Sequence, residues 1–371
     1  MPLLSPTRLD VPVGWGIVST GGIAHAFADD LTRLDSAHLV AVCSRSAARA
    51  AEFATAHSGA TRGGKLRSVR PYDTLDAMLD DPAVEVVYVA SVNTAHREIA
   101  VRALERGKAV LCEKPLATSA NEAREMHEAA ARGRAFLAEA LWTRHLPAVR
   151  AAVERVERGD LGEIVAIRGD LTVRRPFDPG SRLFDPAVGG GALLDIGIYP
   201  ISLAVLFGGA PSSVVGRWWR NEAGTDSRAE IEMVCRPNER HEGVDVRLAC
   251  GFADGRNANR FVVQGTKGAL VLDDTLRPKA LSLRDPFPEL PPAARPRTWT
   301  SRFNRWTGHV FESGTVRRYG FEGSGLRFQA EAVGNALRDG RIELAEIPVV
   351  DSIHALEVID AVLATEPRGA V

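Results

Sequence analysis

Between Val11 and about Glu139, short apolar runs rich in Val, Ala, Leu and Cys alternate with stretches whose apolar residues recur at helical spacing. Val13–Ser19 predicts a strand, Ile23–Leu34 a helix and Leu39–Cys43 a second strand. Ala47–Ala56 and Thr74–Leu79 read as helices, Val84–Ala90 as a strand, Ala95–Arg106 as a helix and Ala109–Cys112 as a strand. Ala120–Arg132 and Ala135–Glu139 close the series as helix and strand. This alternation predicts an α/β, doubly wound parallel sheet over residues 11–140. The pattern then changes. After a helical stretch near Ala148–Arg158, β-rich runs follow at Ile164–Val173, Ser213–Arg220, Ala229–Cys235, Val244–Phe252, Arg260–Gln264 and Ala269–Leu272, with few crossover helices between the later ones. Residues 141–371 are therefore expected to form a second, sheet-based domain that ends in helices at Leu326–Asp339 and Asp351–Ala364.

Two domains also follow from length, because 371 residues exceed what one compact core holds. With 45% hydrophobic and 25% charged residues the chain is a folded globular protein, and a net charge of −1 offers no basic field to nucleic acid or to an anionic membrane. The stretch Met1–Arg8 lacks a charged region followed by an apolar one, and lacks a twin-arginine pair. No later segment is expected to reach spanning length, so a cytoplasmic location is expected. Cys43, Cys112, Cys235 and Cys250 lie in apolar runs without the spacing of a disulfide framework or a zinc site. They read as reduced core residues, and no metal is expected.

The first strand-to-helix turn carries candidate chemistry. Ser19-Thr20-Gly21-Gly22-Ile23-Ala24 compares with the dinucleotide pattern GxGxxG/A, with serine at the first glycine. Gly21 lets the backbone approach a pyrophosphate at a helix N-terminus, and Ala24 allows close packing of helix on strand. After the second strand the chain reads Cys43-Ser44-Arg45-Ser46, with no Asp or Glu to take a ribose 2′-hydroxyl. Serine hydroxyls and a guanidinium suit a 2′-phosphate, so NADP is expected over NAD. The alternative is that Ser46 caps the next helix and Arg45 is solvated. Arg62, Lys65, Arg67 and Arg70, in the insertion 58–71, fall at the opposite end of the sheet and read as a solvated loop.

Only five of the 46 basic residues are lysine, and one of them, Lys114, follows an apolar strand in Cys112-Glu113-Lys114-Pro115. That places it at the carboxyl edge of the sheet, where open α/β sheets keep their ligands. Further on, Gly189-Gly190-Gly191-Ala192-Leu193-Leu194-Asp195-Ile196-Gly197-Ile198-Tyr199-Pro200 sets Asp195 and Tyr199 four apart, on one face of a helix. A lysine, an aspartate and a tyrosine make a proton-transfer group for interconverting an alcohol and a carbonyl.

These pieces, with Trp15–Gly21, Gly107–Pro115 and Glu139–Arg144, resemble the glucose-fructose oxidoreductase, inositol dehydrogenase and MocA (Gfo/Idh/MocA) family, in the family's order over most of the chain. Within it the look is nearest to dimeric dihydrodiol and D-xylose dehydrogenases, where serine replaces the first glycine and tyrosine stands at the position of Tyr199. The resemblance implies a Rossmann domain followed by an α+β domain on a large, mostly antiparallel open sheet. Such a sheet needs its other face covered, which makes a homo-oligomer the expected state. It further implies a cis Lys114–Pro115 peptide, a lysine that polarises the substrate oxygen, a tyrosine that exchanges a proton with the hydroxyl, and Asp195 as an orienting group. Lysine and tyrosine are poor bases at their ordinary values of about 10, so the site must lower at least one of them. Ser19–Ala24, Ser44, Arg45, Asn93, His96, Glu113 and Lys114 are the implied cofactor-binding residues, with Val92 at a position where the family has proline. Trp142 and Arg144 match a stretch that lines the substrate pocket in dihydrodiol dehydrogenases; a buried tryptophan at a domain junction is the other reading.

The expected activity is hydride transfer between a nicotinamide and a secondary alcohol of a sugar, polyol or cyclic diol. Relatives of this fold also serve as regulators without turnover or use the cofactor transiently in glycoside cleavage; the regulators lack the lysine motif that this chain has. Residues 284–316, rich in proline, arginine and aromatics, read as a lid, an interface arm or a disordered segment.

Overall fold

The computed structural model describes residues 11–60, 66–235, 243–252, 258–285 and 315–369. Two compact units emerge, one from the described parts of Met1–His145 and Phe321–Ile353, the other from those of Leu146–Gly320 and His354–Val371. The return of Phe321–Ile353 to the first unit departs from the expected 141–371 domain.

In the first unit, β1 (Val13–Val18), α1 (Gly22–Leu31), β2 (Ala37–Cys43) and α2 (Ala47–His57) follow the expected alternation. A two-residue hairpin, β3 (Gly59–Ala60) with β4 (Leu66–Arg67), precedes β5 (Arg70–Tyr72) and α3 (Leu75–Leu79). Then come β6 (Val86–Val89), α4 (His96–Glu105), β7 (Ala109–Glu113), α5 (Ala120–Gly133) and β8 (Leu137–Ala140). The six strands pair in parallel in the order β5-β2-β1-β6-β7-β8, a doubly wound sheet whose chain reverses direction beside β1. Trp15, Ile17, Tyr88, Leu111 and Leu137 are fully buried, as expected of strands covered on both faces.

The arginine-rich insertion is not one loop. Arg70 lies in β5, the edge strand, and its guanidinium meets buried Asp81 at 2.5 Å, while Arg62 and Lys65 lie outside the described residues.

Helix α8 (Arg327–Arg338) and the start of α9 (Val349–Leu363) complete the first unit. One carboxylate docks α8. Asp30, 2% exposed near the end of α1, accepts from Ser324 Oγ at 2.6 Å and from the N–H groups of Gly325 at 2.9 Å, Arg327 at 3.2 Å and Ser324 at 3.3 Å. An anion at the start of a helix satisfies N–H groups that have no intrahelical partner.

The second unit holds α6 (Pro147–Glu157), β9 (Ile164–Val173), α7 (Ile198–Gly208) and the strands β10 (Pro211–Arg220), β11 (Asp226–Cys235), β12 (Val244–Phe252), β13 (Ala258–Gly265), β14 (Ala269–Leu272), β15 (Ala280–Arg284) and β16 (Thr315–Arg318). They form one eight-stranded sheet in the order β10-β11-β12-β9-β13-β14-β15-β16. Every neighbouring pair is antiparallel except β12 with β9. The stretch Pro186–Gly208 is long and apolar enough to cross a membrane, contrary to the sequence reading, but it is mostly buried here, with α7 packed on β9 and β12. The four cysteines are buried and free.

Burial raises the Asp30 carboxyl, but the hydrogen bonds from Ser324, Arg327 and Gly325 outweigh it and hold the group below its ordinary range. A depressed folded value gives stability that is present above the unfolded carboxylate value and lost as pH falls through the folded one. Asp30→Ala is expected to cost about 2–4 kcal/mol in urea denaturation at neutral pH, with the deficit shrinking as wild-type Asp30 is protonated in acid.

Candidate active site

The carboxyl edge of the parallel sheet gathers the first set of residues. Ser19 leaves β1 with φ of 93°, a left-handed backbone that glycine adopts freely, and its N–H donates to the Cys43 carbonyl at 2.8 Å. Serine in that conformation costs about 1 kcal/mol, so the tight turn is kept against a local penalty. Helix α1 then starts at an extended Gly21 with no side-chain cap and no acidic residue in its first turn. A Cβ at Gly22 would meet nothing within 4 Å, while Ala24 is fully buried against the sheet. Thr20 is half-buried and Gly21, Gly22 and Ile23 are exposed. An uncapped helix N-terminus at two exposed glycines fits the pyrophosphate of a dinucleotide.

At the end of β2, Ser44 Oγ accepts from the Ser46 N–H at 3.3 Å, and Ser46 Oγ accepts from the Arg49 N–H at 3.4 Å. Ser46 thus caps α2, as one reading of the sequence had it. Arg45 is exposed and makes no ion pair with a described residue.

The loop after β7 is held from beneath by buried polar groups. Asn93 opens a short 3-10 turn that leads into α4, whose first residue, His96, is fully enclosed. Its Nδ1 lies 2.9 Å from the Pro115 carbonyl and its Nε2 3.3 Å from that of Ser91. Both partners are acceptors, and burial lowers the imidazole's affinity for a second proton, so one N–H serves one of them. The arrangement makes His96 a brace between the end of β6 and the Lys114–Pro115 turn. Glu113, 7% exposed, accepts from Tyr88 Oη and from the Lys114 N–H at 3.2 Å. Burial pushes Glu113 up to about 6, against the lowering pull of the Tyr88 hydrogen bond and the Lys114 cation. The Lys114–Pro115 peptide is cis, as the resemblance implied. Beyond it, the Leu116 N–H donates to Glu139 Oε1 at 2.9 Å, and Glu139 Oε2 accepts from Ser352 Oγ at 2.7 Å. Lys114 itself is only half-buried.

Trp142 and Arg144 follow on a short 3-10 turn. Trp142 is half-buried, whereas the Arg144 side chain is wholly enclosed, with Nη1 2.6 Å from Asp351 Oδ2 and 3.2 Å from the Glu346 carbonyl. Sequence reasoning missed Tyr88, Glu139 and Ser352 as supports. The available signal was an acidic residue inside each of two apolar strands.

In the second unit, Asp195 and Tyr199 do share a helix, but its first turn is wider than expected. Leu193–Gly197 is a π-helical turn that runs into α7, with the Ile198 N–H reaching back to the Leu193 carbonyl. Asp195 is half-buried and Tyr199 5% exposed. Such turns occur mostly as single insertions in α-helices, frequently at functional sites. Glycines before and within it are squeezed. A Cβ at Gly190 would stand 2.8 Å from backbone atoms of Leu183 and Asp185, and one at Gly197 2.9 Å from Cys250 Sγ. Among the described residues, no group of three or more His, Cys, Asp or Glu side chains is placed to hold a metal ion.

Comparison with known proteins agrees with this layout. A family model described as "Oxidoreductase family, NAD-binding Rossmann fold" matches residues 13–140, and one described as "GFO/IDH/MocA C-terminal domain" matches residues 149–271. The chain is 33% identical over 358 residues to trans-1,2-dihydrobenzene-1,2-diol dehydrogenase of Macaca fuscata fuscata, covering 94% of this chain and 95% of that protein. It is 29% identical to the D-xylose 1-dehydrogenase (NADP(+)) of Hypocrea jecorina, over 94% of this chain and 90% of the relative. A 3-ketoreductase from Actinomadura kijaniata, solved with NADP and TDP-benzene, shares the fold at a TM-score of 0.74 and 24% identity, over 97% of this chain and 99% of its own.

A buried carboxyl whose folded value is raised contributes stability that is complete below its unfolded value and lost as pH rises through the folded one. For Glu113 that window runs from the ordinary glutamate range of about 4.5 to about 6. The difference corresponds to about 2 kcal/mol of unfolding free energy. Chemical denaturation across this window should therefore show a decline in wild type that is about one proton shallower in Glu113→Gln; an unchanged slope would mean that Glu113 is ionised throughout.

Proposed function

The chain belongs to the Gfo/Idh/MocA oxidoreductase family, and on that premise we propose that it is an NADP-dependent dehydrogenase or reductase acting on a secondary alcohol or carbonyl of a sugar, polyol or cyclic diol. The observation that carries the reading is the placement of Lys114. It follows directly on β7 at the carboxyl edge of a dinucleotide-type sheet, its loop braced by His96 and Glu139 while the side chain stays half-buried. A structural lysine does not need two buried polar groups to fix its loop. Relatives that act on a cyclic diol and on D-xylose support the substrate class.

Bound NADP would supply or accept the hydride. Lys114 would donate a hydrogen bond to the substrate oxygen and so stabilise the charge that gathers there as the C–H bond breaks. Tyr199 would exchange the hydroxyl proton, and Asp195, two helical positions after Leu193, would orient the hydroxyl or the ammonium. In the first unit, the first-turn N–H groups of α1 would take the pyrophosphate, with Ser19, Thr20 and Gly21 forming the turn above it. Ser44 and Arg45 would take the 2′-phosphate, the exposed guanidinium being spared for it by the lack of any ion pair with a described residue. Asn93 would line the nicotinamide pocket and Trp142 the substrate. The account also includes a homo-oligomer through the second sheet. Val215 and Val234, 71% and 37% exposed, point to the same side of β10 and β11 and leave apolar surface for a second copy to cover.

Equilibrium titration with NADPH and NADH tests the cofactor assignment without a substrate. NADPH should bind at least tenfold (~1.4 kcal/mol) tighter, and Arg45→Ala should erase most of that advantage while leaving NADH unchanged. Equal affinity for the two cofactors would sink the assignment.

A further inference from the structure

Asp226, on the far side of a hairpin from the proton-transfer helix in sequence, is bound to its first turn. It is 3% exposed at the start of β11, and its Oδ2 accepts the Leu193 N–H at 2.6 Å. The other oxygen faces Gly191, whose φ is 129° and where any Cβ would collide with it. Gly191 is pinned from the opposite side by its N–H to the Leu183 carbonyl at 2.8 Å. The triple-glycine run is therefore threaded between the Leu183–Asp185 turn and the Asp226 carboxylate, which explains why residues 190 and 191 carry no side chain. Asp226 is itself held. Asn221 Oδ1 accepts from the N–H groups of Ala223 at 3.0 Å and Thr225 at 3.2 Å, and Asn221 Nδ2 donates to Thr225 Oγ1 at 2.7 Å, which stiffens the hairpin loop just before it.

We propose that Asp226 is a positioning residue for the reaction: by anchoring the N-terminus of the helix it maintains the π-turn Leu193–Gly197 and so sets the direction in which Asp195 and Tyr199 face relative to that anchored start. The inference rests on the reading of those two residues given above. The π-turn holds one residue more than an α-turn. Were it to relax, every residue after it would rotate by about 100° about the helix axis relative to those before it. Asp195 and Tyr199 lie within and after the turn, so the relaxation would swing both away from the direction that the anchored start of the helix gives them. A relaxed start must shift the Leu193 N–H, and the carboxylate opposes that shift. Ala192 and Leu193 N–H groups aim at it, the helix dipole favours a negative charge there, and the helix has no side-chain cap of its own. Burial pushes Asp226 up to about 6 despite these hydrogen bonds, so the carboxylate is the prevailing form at neutral pH.

The test uses the full-length protein with Asp226→Asn and Asp226→Ala, the first keeping an acceptor oxygen without the charge. Hydrogen exchange, which needs no substrate, should be at least tenfold faster for Leu193–Ile198 amides in Asp226→Ala and less so in Asp226→Asn, with β1 and β2 amides unchanged. With NADP and either D-xylose or trans-1,2-dihydrobenzene-1,2-diol, kcat should fall at least thirtyfold in Asp226→Ala. KM and NADPH affinity should stay within threefold. Faster exchange with an unchanged kcat, or a parallel loss of kcat, KM and NADPH binding, overturns the positioning role. Wild-type exchange in both variants overturns the anchor itself. If Asp226→Ala does not fold, Asp226→Asn decides between the same outcomes. Tyr199→Phe separates the two claims: full turnover by that variant removes the underlying reading, whereas its inactivity beside a wild-type Asp226→Asn removes only this inference.

Discussion

A loop at the edge of a sheet holds its place only if its backbone groups are satisfied, and here, after β7, the satisfaction comes from below. The Glu139 carboxylate takes the Leu116 N–H, and the His96 imidazole takes the Pro115 carbonyl or the Ser91 carbonyl. Both side chains are almost wholly removed from solvent, where an unmet polar group costs several times what a met one gains. The buried polar layer thus holds the backbone from both sides of the peptide. It fixes the backbone on either side of Lys114, whose side chain is half-buried. Glu113 adds a second use of the same constraint, since its burial raises its proton affinity beside the ammonium. Catalytic sites commonly carry such perturbed groups, because the burial that shifts them also excludes competing water.

The same device recurs in both units. Asp30 seats α8 by gathering the N–H groups of its first turn, and Asp226 seats the π-turn by gathering those of Ala192 and Leu193. Each is a buried carboxylate placed far away in sequence from the helix it serves. Surface helices cap themselves with a local Ser or Thr, as α2, α3 and α5 do through Ser46, Thr74 and Ser119. The remote carboxylates instead fix how a helix enters a particular surface, which is what a residue such as Tyr199 needs.

Much of this was readable before any coordinates. Ile164–Val173, Val244–Phe252 and Ala269–Leu272 have the expected bounds, because long β-branched and apolar runs leave little competition from other conformations. Strands at or next to a sheet edge escaped: β5, β15 and β16 are short and partly polar, with little period-two alternation to reveal them. The π-turn was invisible because residues four apart share a face in either helix type. Lys114 stood out through rarity and position, and its cis peptide through the resemblance. Asp30, Glu139 and Asp226 could not be given partners from sequence, since those partners lie 23 to 297 residues away. An isolated acid in an apolar run says that something must satisfy it, without saying what. The grouping of Phe321–Ile353 with the first unit escaped for the same reason, Asp30 and Glu139 being two of its contacts there.

The central claim is that the braced loop exists to present Lys114 to a reacting oxygen. Single-turnover nicotinamide absorbance, with enzyme in excess over NADP and D-xylose or trans-1,2-dihydrobenzene-1,2-diol saturating, addresses it directly for wild type and Lys114→Ala. The account predicts a burst of NADPH in wild type and a rate about 10²–10⁴-fold lower in the variant, with NADPH binding retained. A Lys114→Ala protein that forms NADPH at the wild-type rate would contradict it.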